Sequence, residues 1–195
     1  MEYALSNDSI SIKVSTAGGS FTSIEADGRE YLWQGDPPVW SGRAPICFPI
    51  CGGLRDNNAM TFAGHHVKLA RHGFARKQEW KLLSQSENEL AMCLDSEDNA
   101  ALLSDYPYPF KLVARYALED AAVRVSYEVT NEGTEDMPFF IGGHPGFRCP
   151  LDEGEAYTDY ELRFEKDEAA ELCTAVPSTG LIDVDRRSKN PMVGK

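Results

Sequence analysis

Two histidines in this sequence are flanked by residues that restrict the backbone and could present an imidazole to a ligand. His144 lies within FFIGGHPGFRCP, residues 139–150, between a glycine and a proline, and His72 precedes a glycine and an aromatic residue in RHGFAR. Both segments fall at predicted strand-to-loop boundaries, where a rigid sheet can hold a side chain in a cleft. Because histidine ordinarily titrates at a pKa of about 6.5, two such residues facing one cleft could bind a polar ligand and transfer a proton. Two structural histidines are the alternative that the spacing leaves open.

A second candidate segment, WSGRAPICFPICGGLRDN at residues 40–57, joins an apolar stretch to two glycines and an arginine. The glycines permit an unusual turn of the backbone just before Arg55. A guanidinium presents several donors in one plane, which suits hydroxyl or carboxylate ligands. Trp33 and Trp40 lie close by in the sequence and could pack on the apolar face of a sugar ring, although burial in the core would explain them equally well.

Several common catalytic and nucleotide-binding motifs do not occur in the sequence. It contains no serine nucleophile elbow, P-loop or dinucleotide-binding fingerprint. The cysteines follow no disulfide framework, and no second pair of cysteines or histidines completes a zinc site. They are Cys47, Cys51, Cys93, Cys149 and Cys173. We interpret all five as small buried apolar residues in a reducing compartment, and we expect neither a cofactor nor a metal ion.

Length and charge narrow the class of protein. The chain has 195 residues, enough for a substantial core, and we predict a single domain over residues 1–195. A formal net charge of −12 argues against nucleic acid or an anionic membrane as a partner, because both are bound through lysine and arginine. No apolar run is long enough to span a bilayer and the N-terminus lacks the features of a secretory signal, so we expect a cytoplasmic protein. Its oligomeric state stays open.

The elements that would position these residues are strands. Apolar residues recur at every second position in residues 9–14 and in a predicted hairpin over residues 110–129. Asp27-Gly28 is a preferred pair for a type I′ hairpin turn. Helical periodicity is confined to residues 99–106. Many short strands with frequent turn signals predict an all-β fold, an antiparallel β-sandwich or barrel.

The C-terminal part of the chain has a different composition. Nine carboxylate residues fall between positions 152 and 171, and we interpret them as a solvated surface because charge runs are usually exposed. The final residues, 183–195, show neither a strand pattern nor a helix pattern. We therefore predict no regular element at that end of the sequence.

Five segments occur together in the order and approximate spacing of one enzyme family. They are APICFPICGGLRDN, RHGFARKQEW, YPYPFKLVARYAL, VSYEVTNEG and FFIGGHPGFRCPL. In these segments, from about Tyr31 to Phe164, the chain resembles the aldose 1-epimerase (galactose mutarotase) family, in particular its less characterised bacterial branch. The HGFAR and GGHPGF segments are fairly specific as a pair.

The resemblance implies an antiparallel β-sandwich, the galactose mutarotase-like supersandwich, and interconversion of the α and β anomers of a free aldose without a cofactor. It implies that His144 is the general acid that protonates the ring oxygen and that His72 binds and orients the sugar. Arg55 is implied to contact sugar hydroxyls, and Arg76 is a further substrate-binding candidate. A histidine acid needs a partner base, and each proton transfer contributes about 10²–10⁴-fold in rate.

The sequence departs from the family pattern at the position of that base. The resemblance implies a glutamate followed by proline and an aromatic residue near the C-terminus, and no Glu-Pro pair occurs in the 195 residues. We therefore expect a fold that is incomplete at the C-terminus, the N-terminal two-thirds of the family fold, with the general base beyond Lys195. Such a chain should be catalytically impaired by about 10²–10⁴-fold.

Two alternative functions stay open. A non-catalytic carbohydrate-binding module would keep the sugar cleft without turnover. A sugar-phosphate (hexose 6-phosphate) 1-epimerase would hold a phosphate with the basic residues of HVKLARHGFARKQEWK. These residues are Lys68, Arg71, Arg76, Lys77 and Lys81. Most of them alternate toward solvent, which favours the neutral sugar.

Overall fold

The computed structural model describes residues 1–163, 165–166, 171–176 and 178–189, which form an all-β structure with one short α-helix. The helix is α1 (Leu102–Asp105). The strands are β1 (Glu2–Ser6), β2 (Ile10–Ser15), β3 (Phe21–Ala26), β4 (Arg29–Glu30), β5 (Ile46–Cys47), β6 (Asn58–Met60), β7 (His66–Lys68), β8 (Lys81–Gln85), β9 (Glu89–Asp95), β10 (Phe110–Glu119), β11 (Ala122–Asn131), β12 (Gly142–Gly143), β13 (Glu171–Val176) and β14 (Leu181–Lys189). Short 3₁₀ turns occur at Arg55–Asn57, Ala75–Lys77 and Tyr157–Asp159.

Two four-stranded antiparallel sheets make up most of the fold. One has the strand order β1-β2-β3-β4 and the other the order β11-β10-β9-β8. Residues of both sheets share one hydrophobic core, in which the Phe21 ring meets the Tyr116 ring edge-on with the centroids 4.7 Å apart. The Tyr116 hydroxyl donates a hydrogen bond to the Gly19 carbonyl, which satisfies its polar group inside the core. The predicted antiparallel β-sandwich is confirmed.

The β10–β11 hairpin shows how the period-two pattern produces this architecture. Phe110 and Tyr116 lie on the core face of β10 and are buried, as the alternation predicts. β11 returns beside β10 in continuous register, and its alternate residues from 123 to 129 are half-buried. The turn at Asp27-Gly28 is confirmed as well, because both residues have the positive φ angles, 51° and 73°, that a type I′ turn requires.

Three segments that are far apart in the sequence meet beside the core. β5 pairs with β12, with Cys47 opposite Gly142. Phe48, directly after β5, forms an isolated parallel bridge with Gly73. The buried Phe48 ring packs against Phe110 with a centroid distance of 5.0 Å. The core therefore anchors the point where the segments around residues 48, 73 and 142 come together.

The prediction that the sequence ends without a regular element is wrong. β14 covers Leu181–Lys189 and pairs with β13. The segment DVDRRSK is mostly polar, with Val184 as its one apolar residue, so it shows no hydrophobic alternation that would predict a strand. Residues 190–195 lie outside the described residues. Of the preceding carboxylates, Glu153, Glu155 and Glu161 are exposed, as predicted, whereas Asp167 and Glu168 lie outside the described residues.

The prediction that all five cysteines are buried is wrong for three of them. Cys47 in β5 and Cys93 in β9 are buried, whereas Cys51, Cys149 and Cys173 are exposed. Cys51 and Cys149 lie in connections between strands, and Cys173 lies in the two-stranded β13–β14 sheet. Whether a cysteine is buried therefore depends on the strand or loop that carries it and not on the residue type.

Two predictions concern the chain as a whole. Among the described residues, no helix is both long enough and apolar enough to cross a membrane. The organisation of residues 1–195 as a single domain stays a prediction.

Candidate active site

His72 and His144 lie side by side in the structure. Their ring centroids are 5.3 Å apart and their ring planes are inclined by 54°. His72 is half-buried and His144 is exposed, so the pair extends from the protein toward solvent. The fold therefore brings together the two imidazoles that the sequence motifs indicate, while their chemical roles stay predictions.

The main chain holds His72 in an unusual conformation. Its φ angle of 65° lies in the left-handed region, which residues other than glycine rarely adopt and which costs on the order of 1 kcal/mol. Two hydrogen bonds with Gly52 stabilise it: the His72 N–H donates to the Gly52 carbonyl over 2.7 Å, and the Gly52 N–H donates to His72 Nδ1 over 3.1 Å. Because Nδ1 is an acceptor, the neutral ring carries its hydrogen on Nε2 and can donate it to a ligand.

The pKa of His72 lies below its ordinary value. Burial is the largest cause, because it disfavours the charged ring, and the positive charges of His144, Arg76 and Arg71 add to the effect. The Gly52 N–H acts in the same direction, since it occupies the site at which the second proton would bind. His72 is therefore a neutral hydrogen-bond donor near pH 7.

This lowered pKa predicts a pH-dependent stability. The unfolded chain binds a proton at His72 near the ordinary pKa of 6.5, whereas the folded protein binds it only at lower pH. The free energy of unfolding should therefore keep its full value above pH 6.5. It should fall as the pH drops from 6.5 toward the pKa of His72 in the folded protein. In His72→Asn, the part of the pH dependence of stability that His72 causes should be lost. Urea unfolding of both proteins between about pH 5 and pH 8 measures the difference.

The choice of asparagine keeps the local backbone intact in that experiment. Asparagine tolerates a positive φ, and its carbonyl oxygen can accept the Gly52 N–H in place of Nδ1. His66→Gln, at an exposed position in β7, is the matched control and should keep the native pH dependence. Identical curves for the native protein and His72→Asn would contradict the prediction.

Main-chain hydrogen bonds on both sides fix the turn that carries His144. The His144 N–H donates to the Pro45 carbonyl over 3.1 Å, and the Gly146 N–H donates to the Arg43 carbonyl over 2.7 Å. Both acceptors belong to the segment that leads into β5, and β5 itself pairs with β12 just before His144. The exposed imidazole therefore projects from a tethered backbone rather than from a free loop.

Trp40 forms an aromatic wall beside His144. The two ring centroids are 5.3 Å apart, with the planes inclined by 40°. A Cβ on residue 146 would come within 2.7 Å of the Trp40 ring, so only glycine leaves room for the indole. Trp33 supports the arrangement, because its Nε1–H donates to the Trp40 carbonyl over 2.7 Å. Both tryptophans are half-buried rather than core residues, which leaves part of each ring available to a ligand.

A cleft of about 410 Å³ borders Trp40 and is rich in cationic and hydroxyl groups. We call it the basic cleft. Its polar lining comprises Ser15, Ser20, Thr22, Ser41, Arg43, Arg76 and Lys77. Arg76 donates from Nη2 to the Arg71 carbonyl over 3.0 Å, and its buried Nε has no hydrogen-bond partner among the described residues. Hydroxyls and guanidinium groups suit a polyhydroxylated ligand, and the net positive charge suits an anionic one.

Arg55 makes no hydrogen bond to either histidine among the described residues and does not line the basic cleft. It begins the 3₁₀ turn Arg55–Asn57, shortly after Gly52, and its side chain is exposed. Lys81 of the basic segment is also elsewhere, in an ion pair with Asp98. Of the two arginines predicted to bind substrate, only Arg76 therefore lines the basic cleft.

Sequence reasoning missed the residues that hold the two histidines in place. Gly52 acts through its main-chain N–H and carbonyl, and Gly146 acts by leaving space for Trp40. Their only signal in the sequence is a glycine beside each motif, which predicts a turn but not its partner. The contact between Trp40 and His144 had no signal, because the two residues are distant in the sequence.

A carboxylate partner for the histidine pair is missing from the described part of the chain, where neither His72 nor His144 hydrogen-bonds to an aspartate or glutamate. The histidine–carboxylate contact that the structure does show joins His65 Nε2 to Glu135 over 2.6 Å. His65 follows the β6–β7 turn and is half-buried. Among the described residues, the His72–His144 pair therefore has no carboxylate beside it that could act as a base.

The protein is thus an antiparallel β-sandwich that carries two neighbouring histidines beside a tryptophan. Comparison with known families identifies it further. The sequence matches the aldose 1-epimerase family over residues 1–193. The chain belongs to that family, as the sequence motifs predicted.

Individual relatives agree with this membership. The chain is 43% identical to protein LacX of Lactococcus lactis subsp. lactis over 197 residues, covering 96% of this chain and 64% of LacX. It is also similar to a galactose mutarotase related enzyme from Lactobacillus acidophilus, with a TM-score of 0.88 and 28% identity, covering 98% of this chain and 63% of that one. A galactose mutarotase-like protein from Lactobacillus casei gives a TM-score of 0.81 at 26% identity, covering 97% and 63%. The chain thus spans slightly less than two thirds of the length of these relatives.

Proposed function

We propose that the protein binds a free aldose in the cytoplasm and takes part in the interconversion of its α and β anomers. The observation that carries the proposal is the His72–His144 pair beside the ring of Trp40. An aromatic ring can pack on the C–H face of a sugar, and histidine exchanges protons near neutral pH. Membership of the aldose 1-epimerase family supports the same reaction class.

In this proposal each side chain has a role in the reaction. The Nε2–H of neutral His72 donates to a sugar hydroxyl and orients the ring. His144 protonates the ring oxygen as the bond from C1 to that oxygen breaks, while a base removes the proton of the C1 hydroxyl. The open-chain aldehyde rotates about the C1–C2 bond, and the reverse proton transfers close the ring on its other face. Arg76 and the exposed Arg55 are assigned to hydroxyl contacts.

The base is the one group in this scheme that we assign to no described residue. No described carboxylate contacts either histidine, and the 195 residues contain no Glu-Pro pair. We therefore assign the acid and the sugar-binding groups to described residues, and we propose that the base is a carboxylate outside the described residues. A carbohydrate-binding module without turnover would use the same contacts, so the rate of anomer exchange separates the two functions.

One observation favours a second candidate, a sugar phosphate as the ligand. Arg43, Arg76 and Lys77 line the basic cleft next to Trp40, so a phosphate on a sugar stacked against this indole would meet cationic donors. Lys68 and Lys81, which belong to the same basic segment of the sequence, do not line the cleft. This arrangement supports a hexose 6-phosphate more directly than the sequence pattern did.

Titration of the chain with D-galactose, D-glucose and glucose 6-phosphate tests the ligand class. We expect each bound sugar to shift the ring NMR signals of His72 and His144, and Trp40→Leu to weaken binding by up to about tenfold, the value of one aromatic contact. If the neutral sugar is the ligand, glucose and its phosphate should bind alike. If the sugar phosphate is the ligand, it should bind more tightly, and Lys77→Ala should remove the difference.

Matched variants make this titration specific. Lys68→Ala removes an exposed lysine of the same segment outside the cleft and should change nothing, and His66→Gln serves in the same way for the histidine signals. Sugar binding that leaves both imidazole signals unmoved, or that survives intact in Trp40→Leu, would contradict the proposed site.

A further inference from the structure

The geometry points to a modification site between the two histidine segments: Cys47 and Cys51 form a reversible intramolecular disulfide under oxidation by a hydroperoxide. Both thiols are free in the structure. The inference does not depend on the proposed function, because it concerns thiol chemistry that mutarotation does not use.

The β5–β12 ladder puts the two sulfur atoms on one face. Cys47 lies opposite Gly142, and residues opposite each other in an antiparallel pair point their Cβ atoms to the same side, about 4.5–5.5 Å apart. The Sγ of Cys51 lies 3.2 Å from the place that a Cβ on Gly142 would take. Cys51 therefore reaches the space directly beside the Cys47 side chain, which is open because residue 142 is a glycine. A disulfide needs Cβ atoms about 3.5–4.5 Å apart, and only residues 48–50 separate the two cysteines in the sequence.

The two thiols differ in exposure, and this difference determines which of them is oxidised first. Cys51 is exposed and meets the oxidant first, whereas Cys47 is buried. Burial raises the pKa of the Cys47 thiol, and the neighbouring Cys51 thiol adds to the rise, while the Arg76 guanidinium opposes it. Cys47 therefore stays a protonated thiol near neutral pH and is the resolving partner.

The chemistry balances with one hydroperoxide. The Cys51 thiolate attacks a peroxide oxygen, the S–O bond forms, the O–O bond breaks, and the leaving hydroxide takes a proton to become water. Cys47 loses its proton and attacks the sulfenic sulfur of Cys51, the S–S bond forms, and the S–O bond breaks to release a second water. The two thiols lose two electrons to the peroxide, and an external dithiol restores them by exchange.

The disulfide would act on the site through Gly52. Gly52 follows Cys51 directly and holds His72 by the two hydrogen bonds described above. On the other side, Phe48 follows Cys47 and forms the bridge to Gly73, next to His72. Closing the 47–51 loop covalently therefore changes the position or the mobility of the residue that accepts and donates hydrogen bonds at His72.

Peptide mapping after peroxide treatment tests the inference. Trypsin should release residues 44–55 as one peptide, APICFPICGGLR, which contains both thiols. After treatment of the folded chain with hydrogen peroxide and then an alkylating reagent, we expect this peptide to escape alkylation and to be lighter by two hydrogens. A dithiol should restore alkylation, and the ring NMR signals of His72 should move on oxidation and return on reduction.

Three variants identify the order of the steps. In Cys47→Ser, the reaction should stop at a Cys51 sulfenic acid that dimedone traps, and in Cys51→Ser, Cys47 should stay alkylatable. Cys149→Ser removes another exposed thiol and should leave the mapping unchanged. Full alkylation of both thiols in the treated native chain, or oxidation of Cys51 only into disulfides between chains, would overturn the inference, whether or not the variants fold.

Discussion

Replacing His144 with glutamine is expected to lower the rate of anomer interconversion by about 10²–10⁴-fold while leaving sugar binding nearly unchanged. Glutamine keeps a polar side chain on the same tethered turn but cannot transfer a proton to the ring oxygen. The turn itself should persist, because its hydrogen bonds to Pro45 and Arg43 involve only the main chain. Polarimetry of freshly dissolved α-galactose or α-glucose measures the rate.

The lack of a described carboxylate beside the histidine pair affects how this rate should be measured. No described carboxylate contacts the histidine pair, so turnover by the chain alone should be slow, and added formate should raise it by serving as an external base. This gain should depend on His144 and vanish in His144→Gln. His66→Gln should behave as the native chain, and His72→Asn should weaken binding more than it lowers the formate-assisted rate at saturating sugar. A native rate in His144→Gln would refute its assignment as the acid.

Gly73→Ala is expected to destabilise the protein by about 3 kcal/mol or more, the largest stability effect among the changes considered. Gly73 has a φ of 68°, which strains any L side chain by on the order of 1 kcal/mol. Its added Cβ would also lie far inside van der Waals contact of the Phe48 carbonyl oxygen, which belongs to the backbone and cannot turn away. Urea unfolding measures the loss.

Gly64→Ala separates the two causes. Gly64 has a comparable φ of 82°, but no atom lies within 4 Å of the place that its Cβ would take. Its substitution should therefore cost only the strain, about 1 kcal/mol. Equal losses for the two variants would show that the close approach of residues 48 and 73 contributes nothing to stability.

Much of the fold was predictable, because its elements have local causes. The alternation from Phe110 to Leu118 gives one face to the core, and Asp27-Gly28 favours the mirror-image turn that a twisted hairpin needs. β14 was not predictable in this way, since its charged residues at successive positions carry no period. A strand made mostly of polar residues leaves little trace in the hydrophobic pattern.

The sequence indicates the two histidines of the candidate site but not their geometry. The glycines and proline around His144 indicate a controlled backbone, and the two histidine motifs together indicate the family. Nothing local shows that Trp40 would contact His144, that Gly52 would set the tautomer of His72, or that Arg76 rather than Arg55 would line the basic cleft. These relations join distant segments and arise only when the β5–β12 ladder forms.

The packing of Trp40 has a consequence for the choice of sugar. Trp33 donates its main-chain N–H to the Gly146 carbonyl over 2.8 Å and its indole N–H to the Trp40 carbonyl, while the Trp40 ring covers Gly146, two residues after His144. These hydrogen bonds and the close packing thus tie Trp40 to the turn that carries His144. A ligand that stacks on Trp40 presents its ring oxygen at a set depth whatever its other substituents. Differences between sugars would then be recognised by other residues of the basic cleft, such as Arg76 and Lys77, and selectivity could change there without disturbing proton transfer.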